Sequence, residues 1–247
     1  MARIALVQMD VLWENAAGNA AKVKDMLASQ DRKLDLIILP ELWSCGFTMN
    51  HDAHETFDIG FQAMKEISDH YNCPVLGGLP HAIEGGQQNR CYLVDGDESR
   101  HYAKVKVFKF AGEHHKYQAG SEVKRWEVAG FKLTPLICYD LRFPELVRPM
   151  MPDTQMVSYI ASWPKPRVHH WRQLLAARSI ENLCYVIGVN RVGVDGAGLE
   201  YNGQSMVLAP GGDVVLDAGD AEGVFECDVD PQMVKDIRHR FRFLDDM

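Results

Sequence analysis

The chain has 247 residues, of which 47% are hydrophobic and 24% are charged, values typical of a globular protein with a sizeable core. Its formal net charge of −8 gives no electrostatic reason to expect nucleic acid or an anionic membrane as a partner. No segment approaches the roughly 18 consecutive apolar residues of a membrane-spanning helix. We therefore expect neither a nucleic-acid partner nor a membrane partner.

Six cysteines are scattered at wide intervals, at positions 45, 73, 91, 138, 184 and 227. No pair has the close spacing of a zinc knuckle or of a redox-active dithiol. The apolar run at residues 4–7 is too short for the core of a secretory signal peptide. The sequence thus predicts a protein of the reducing cytoplasm, with free thiols.

The N-terminal half alternates apolar runs with helical periodicity, which is typical of an α/β fold. The pattern predicts strands at residues 2–8, 34–39, 75–79, 90–94 and 101–108, and helices at residues 15–30 and 57–71. Gly77 and Gly78 in the third strand indicate close backbone packing. Asp95-Gly96 indicates a hairpin between the fourth and fifth strands.

The C-terminal half continues the same alternation. It predicts strands at residues 131–137, 155–160, 185–190, 201–208, 213–217 and 223–228, and helices at residues 169–182 and 231–240. The polar segment at residues 111–120 is expected to be a loop outside the core. No linker, repeat or low-complexity segment interrupts the chain, so residues 1–247 are predicted to form a single domain.

Cys138 is the first candidate functional residue, because it stands where the strand at residues 131–137 gives way to a turn. Pro144 is suited to the first position of a following helix. Free backbone N–H groups in such a turn would lower the thiol pKa and could bind an oxyanion. Most cysteines of this kind are buried core residues, but the polar neighbours Tyr139, Asp140 and Arg142 favour a cleft.

Two further candidates follow predicted strands. Glu41 comes directly after an apolar strand and a proline, at the sheet edge where open α/β folds bind ligands, although a solvated loop carboxylate fits equally well. Alternation places Tyr102, Lys104 and Lys106 on one strand face and cannot choose between the two lysines. Adjacent histidines at 114 and 115 lack a third ligand at suitable spacing, so a zinc site is not favoured.

Three segments together resemble the Glu-Lys-Cys signature of the nitrilase superfamily of carbon–nitrogen hydrolases. They are residues 39–43 (Leu-Pro-Glu-Leu-Trp), residues 102–108 and residues 136–145. The resemblance implies a four-layer α-β-β-α sandwich and a homodimer, or a higher homo-oligomer, formed through helices beside the cysteine. The runs at residues 163–178 and 181–193 are most similar to those of omega-amidases, which hydrolyse the terminal amide of 2-oxoglutaramate and 2-oxosuccinamate.

The resemblance also implies a role for each matching residue. Cys138 would form a thioester, Glu41 would act as the base, and Lys104 with the Tyr139 backbone N–H would hold the oxyanion. Glu113 would orient the lysine or the attacking water. The superfamily usually has a histidine two residues after the catalytic lysine, where this chain has a second lysine. Acyl transfer of this kind requires no cofactor and no metal.

Recognition of a small-molecule amide needs groups beyond these catalytic residues. Trp163 and Arg167 are the candidates, because a guanidinium can bind a substrate carboxylate through two parallel hydrogen bonds. Arg167 could equally be a surface residue. Another amidase, a nitrilase or an N-carbamoyl hydrolase of the superfamily remains an alternative, as does a catalytically silent scaffold or binding protein.

Overall fold

The computed structural model describes residues 1–50 and 52–247, which form two six-stranded mixed sheets and a two-stranded ribbon. The first sheet contains β1 (Ala2–Gln8), β2 (Leu36–Ile38), β3 (Val75–Ile83), β4 (Gly86–Asp95), β5 (Glu98–Ala103) and β14 (Gly223–Val229). The second contains β6 (Trp126–Val128), β7 (Phe131–Ile137), β8 (Met156–Ala161), β9 (Tyr185–Asn190), β12 (Met206–Leu208) and β13 (Val214–Asp217). The ribbon pairs β10 (Val192–Val194) with β11 (Glu200–Asn202), and the helices are α1 (Ala16–Leu27), α2 (Ala53–Tyr71), α3 (Val168–Asn182) and α4 (Pro231–Arg240).

Each sheet has three parallel strands at its centre and antiparallel strands outside them. The order of the first sheet is β14-β1-β2-β3-β4-β5, with β1, β2 and β3 parallel. The order of the second is β13-β12-β9-β8-β7-β6, with β7, β8 and β9 parallel. In both sheets the parallel strands therefore end at a common edge, where ligands bind in open α/β folds.

The two sheets pack face to face, and helices cover their outer faces. In β1 the alternation of side chains divides the buried residues between two clusters: Ile4 faces the other sheet, whereas Ala5 faces α1 and α2. On the second sheet, α3 packs closely against β9, and a Cβ at Gly188 would lie 2.4 Å from Leu175 of that helix. The predicted four-layer α-β-β-α sandwich is confirmed.

Local sequence signals explain where the helices begin. Asp52 accepts hydrogen bonds from the His54 and Glu55 backbone N–H groups and caps α2, so this helix begins at Ala53, earlier than the periodicity predicted. Asp230 caps α4 in the same manner and Pro231 fills its first position. No helix among residues 1–50 and 52–247 is long and apolar enough to cross a membrane.

Several predicted elements differ from the structure. The strand predicted at residues 101–108 is wrong beyond Ala103, where the chain leaves the sheet. The helix expected from Pro144 is a single 3₁₀ turn, and the short strand Trp126–Val128 was missed. The expectation that residues 111–120 avoid the core is wrong for Glu113 and Tyr117, which are buried.

Candidate active site

The side chains expected to carry catalysis lie together at one end of the sandwich, where strands of both sheets end. Glu41 follows β2, Lys104 directly follows β5, and Cys138 directly follows β7. Glu113 lies in the 3₁₀ turn Glu113–His115. Glu41, Lys104 and Glu113 are at most 1% exposed. Since an isolated buried charge is very costly, these groups must compensate one another.

Lys104 is the cation at the centre of this group. Its Nζ donates to Glu41 Oε1 at 2.9 Å and to both carboxylate oxygens of Glu113 at 3.0 Å. Burial alone would lower the pKa of Lys104, but the carboxylates of Glu113 and Glu41 outweigh it, and the net shift is upward. Lys104 is therefore a permanent ammonium, suited to stabilising negative charge.

Glu41 is held by donors from both sheets. Besides Lys104, its Oε1 accepts a hydrogen bond from Asn89 Nδ2 on β4 at 2.8 Å, and its Oε2 accepts one from the Ser162 backbone N–H at 2.8 Å, just after β8. Asn89 also donates to Glu113 at 3.2 Å. Sequence reasoning missed Asn89; the only signal was a polar residue next to an apolar strand.

Glu41 reaches this position because of a close approach between backbones. A Cβ at Gly78 on β3 would lie 2.6 Å from the Leu42 backbone nitrogen and 2.8 Å from Glu41 Cα. Only glycine leaves room for the turn that carries the glutamate. The close packing predicted from this glycine is confirmed.

Cys138 occupies a strained backbone conformation at the start of the 3₁₀ helix Cys138–Arg142. Its φ of +45° lies in the left-handed region, which is uncommon for residues other than glycine and is often found at functional sites. Burial and the nearby Glu41 carboxylate raise the thiol pKa, against the opposing effect of Lys104. The expectation of a lowered pKa is wrong, and the thiol needs a base to ionise it.

Asp140 links the turn of Cys138 to the segment of Lys104. Its carboxylate accepts hydrogen bonds from Tyr102 Oη at 2.8 Å and from the backbone N–H groups of Ile137 at 3.0 Å and Lys106 at 2.9 Å. Burial raises the pKa of Asp140 to about 6. In the sequence, Asp140 is recognisable only as a polar neighbour of the cysteine.

The prediction that Lys106 shares a strand face with Lys104 is wrong, because β5 ends at Ala103. The Lys106 ammonium lies 4.6 Å from the centroid of the Phe143 ring and 3.9 Å from Glu145 Oε1. It pairs with these groups, whereas Lys104 pairs with the buried glutamates.

A cavity of about 230 Å³ opens onto the cysteine. Its walls include every predicted site residue except Glu113, together with apolar side chains and the guanidinium group of Arg142. The lining residues are Glu41, Phe47, Lys104, Phe108, Phe110, Ala111, Cys138, Tyr139, Arg142, Ser162, Trp163, Pro164, Arg167, Leu199 and Tyr201. The volume is below the roughly 300–1,000 Å³ of pockets for drug-sized ligands, so it suits a small metabolite. A larger groove of about 480 Å³ lies by Lys132, at the other end of β7 from the cysteine.

Trp163 and two arginines form the polar side of this cavity. The guanidinium of Arg142 stacks on the Trp163 ring at 4.8 Å, and Trp163 Nε1 donates to the Arg167 carbonyl at 2.8 Å. Asn190 fixes the Trp163 backbone, accepting its N–H at 2.7 Å and donating to its carbonyl at 2.9 Å. Arg167 was predicted to lie in the site and Arg142 was not. The pocket thus offers two cations to a substrate carboxylate.

Comparison with known proteins identifies the family of this chain. The chain matches the carbon–nitrogen hydrolase family over residues 3–239. It is 35% identical to omega-amidase YafV of Escherichia coli (strain K12), covering 98% of this chain and 94% of that protein, and 31% identical to 2-oxoglutaramate amidase of Bacillus subtilis, covering 99% and 96%. The crystal structure of XC1258 from Xanthomonas campestris, a CN-hydrolase superfamily protein with an arsenic adduct in its active site, is 32% identical with a TM-score of 0.91, covering 100% of this chain and 97% of that one. This protein therefore belongs to the carbon–nitrogen hydrolases of the nitrilase superfamily.

Proposed function

We propose that this protein hydrolyses the terminal amide of short 2-oxo dicarboxylate monoamides, such as 2-oxoglutaramate and 2-oxosuccinamate, to the acid and ammonia. The observation that carries the proposal is one small cavity whose walls hold Glu41, Lys104 and Cys138 beside Arg142 and Arg167. The first three groups match the chemistry of amide cleavage, and the two arginines match a substrate carboxylate. Relatives named omega-amidase and 2-oxoglutaramate amidase support the same substrate class.

Acylation begins with the thiol of Cys138. Because the thiol pKa is raised, Glu41 takes the proton as sulfur attacks the amide carbon. The new C–S bond places negative charge on the carbonyl oxygen, which the Lys104 ammonium and the Tyr139 backbone N–H stabilise. Glu41 then returns the proton to nitrogen, the C–N bond breaks, and ammonia leaves a thioester on Cys138.

Deacylation repeats the sequence with water as the nucleophile. Glu41 accepts a proton from water as its oxygen attacks the thioester carbon, and the same two donors hold the oxyanion. The C–S bond breaks, the thiol recovers its proton, and the carboxylic acid leaves. Glu113 keeps Lys104 oriented through both steps, with two hydrogen bonds of 3.0 Å.

Charge in the pocket favours a keto acid over an amino acid. Both guanidinium groups would attract a substrate carboxylate, whereas an α-ammonium bound near them would be repelled. A unit charge about 5 Å away at an effective dielectric near 20 contributes roughly 3 kcal/mol, or about a hundredfold in rate. We therefore expect 2-oxoglutaramate to react much faster than glutamine.

Ammonia release from a substrate panel tests this proposal. The panel contains 2-oxoglutaramate, 2-oxosuccinamate, glutamine, asparagine, butyramide, an N-carbamoyl amino acid and a simple nitrile. The two keto acids should have the highest kcat/KM. Equal kcat/KM for glutamine would contradict the omega-amidase assignment, and preference for the carbamoyl compound or the nitrile would assign another activity of the superfamily. No turnover of any member would favour a silent scaffold.

We propose three further properties of the whole molecule. A single domain spanning residues 1–247 is supported by one buried cluster that includes residues of both sheets. A homodimer formed beside the cysteine is supported by the partly exposed face of α3, where Ile180 is 51% exposed. A cytoplasmic location is supported by six free cysteines. Light scattering on the purified protein tests the dimer.

A further inference from the structure

We propose that Asp140 is a positioning residue, which holds the two oxyanion donors of the active site in one fixed arrangement. These donors are the Lys104 ammonium and the Tyr139 backbone N–H, so the inference rests on the proposed amide hydrolysis. They belong to different sheets, because Lys104 follows β5 and Tyr139 follows β7 by two residues. Their relative position therefore depends on contacts between the sheets.

The hydrogen bonds of Asp140 span that boundary. On the side of the second sheet, the carboxylate accepts the N–H of Ile137 at 3.0 Å, the residue directly before Cys138. On the side of the first sheet it accepts Tyr102 Oη at 2.8 Å and the N–H of Lys106 at 2.9 Å. Tyr102 and Lys106 stand two residues before and two residues after Lys104, so the carboxylate holds the lysine segment at both ends.

The Lys104 backbone N–H still donates to the Asn89 carbonyl of β4 at 2.9 Å, but the residues that follow it are outside the strand ladder, as is Cys138. The chain leaves the first sheet after Ala103, and Val105 donates its N–H to Tyr102 Oη at 3.2 Å. Cys138 has a left-handed φ of +45°, a conformation that surrounding structure must impose. Asp140 lies within the same 3₁₀ helix and is fully buried, so its hydrogen bonds can hold Cys138 in this conformation.

The ionised form of Asp140 is required for this set of contacts, since the two carboxylate oxygens accept three hydrogen bonds. A protonated carboxyl would become a donor and would lose at least one of them. The ionisable groups that face it are Tyr102, Lys104 and Tyr159, from β5, the segment after it and β8. Burial raises the pKa of Asp140 to about 6, which places its protonation within an accessible pH range.

Kinetics of Asp140→Asn and Tyr102→Phe test the inference, with Thr134→Val as the matched control. Thr134 is also buried and hydrogen-bonded on β7, with its hydroxyl 2.7 Å from that of Thr154, three residues before the strand ends. We expect Asp140→Asn to lower kcat about 10- to 100-fold and Tyr102→Phe about 3- to 10-fold, with KM within about threefold. Thr134→Val should lower Tm and leave kcat within about twofold.

The pH dependence of kcat distinguishes a positioning role of Asp140 from a purely structural one. As pH falls from 7.5 to 5, wild-type Asp140 gains a proton and comes to resemble the asparagine variant. The ratio of wild-type to Asp140→Asn kcat should therefore shrink several-fold, while the same ratio for Thr134→Val stays constant.

These measurements separate failure of the inference from failure of the proposed substrate. The kcat comparison uses whichever amide the wild type hydrolyses fastest, so a different preferred substrate leaves the test intact. A folded Asp140→Asn protein with kcat within twofold of wild type would overturn the positioning role, as would a ratio that is independent of pH. If Asp140→Asn does not fold, unchanged kcat in Tyr102→Phe overturns it.

Discussion

Removing the Lys104 ammonium is the perturbation whose consequences the structure defines most fully. Lys104→Met keeps the length of the side chain and deletes a charge that lies 2.9 Å from Glu41 and 3.0 Å from Glu113. Both glutamates are fully buried, so the variant leaves two carboxylates in one dry site with Asn89 Nδ2 as a shared neutral donor.

The cost is large for both stability and rate. Breaking a buried ion pair by deleting one partner typically costs about 3–5 kcal/mol. Loss of one oxyanion donor typically lowers kcat by roughly 10²–10³. In addition, one of the two facing carboxylates should take up a proton, and if Glu41 is protonated it can no longer act as a base. We expect kcat/KM to fall by at least about 10³.

That proton makes the stability of the variant depend on pH with a defined sign. Between pH 8 and 5.5 the unfolded chain has both glutamates ionised, whereas the folded variant retains one proton. Lowering the pH therefore favours the folded variant by about 1.4 kcal/mol per unit. Relative to wild type, Lys104→Met should gain Tm as the pH falls through this range.

Thermal unfolding at four pH values and ammonia release at pH 7.5 measure both effects. Lys106→Met is the matched control, because its ammonium is partly exposed and 3.9 Å from Glu145, a contact worth at most about 1 kcal/mol. It should keep kcat/KM within about threefold. Equal losses in the two variants, or a Lys104→Met protein whose Tm relative to wild type does not rise at lower pH, would refute the reasoning.

Three other substitutions probe the remaining parts of the site. Cys138→Ala should abolish hydrolysis while Tm stays near the wild-type value, and turnover above about 10⁻³ of wild type would place the nucleophile elsewhere. Arg142→Met and Arg167→Met should each raise KM for 2-oxoglutaramate about tenfold and leave butyramide unaffected, since only the keto acid offers a carboxylate. Unchanged KM in both would refute carboxylate recognition. Gly78→Ala should lower the free energy of unfolding by about 1–3 kcal/mol and reduce kcat, because the alanine methyl group would lie 2.6 Å from the Leu42 nitrogen. A variant with the kcat and Tm of the wild type would show that the turn accommodates the methyl group without cost.

Elements with a continuous apolar run or a clear cap were predictable from the sequence. The strands Ala2–Gln8 and Tyr185–Asn190 and the helix Pro231–Arg240 have the predicted bounds. Glu41 and Cys138 were predictable as candidate site residues, because each comes after a parallel strand of its own sheet, where open α/β folds bind ligands. Alternation placed Lys104 and Lys106 on the same predicted strand face and could not choose between them, and the family signature did.

Properties set by contacts between the sheets were not predictable. Asn89 is only one of several polar residues before an apolar strand until the two glutamates fold against it. The direction of the Cys138 pKa shift depends on burial, which outweighs the backbone N–H groups of a turn. Two of the three hydrogen bonds of Asp140 join residues 34 and 38 positions apart, and no local pattern encodes them.

The donors around Glu41 also bear on how activity appears during folding. Lys104 and Asn89 belong to the first half of the chain, whereas Ser162 is 121 residues away from Glu41 along the sequence. A refolding intermediate with only one sheet formed would therefore leave Glu41, the proposed base, without some of its hydrogen-bond donors. Contacts so distant in sequence form slowly, because closing a long loop costs entropy before any contact compensates for it. Recovery of amide hydrolysis after dilution from denaturant should thus lag behind recovery of secondary structure and report the docking of the two sheets.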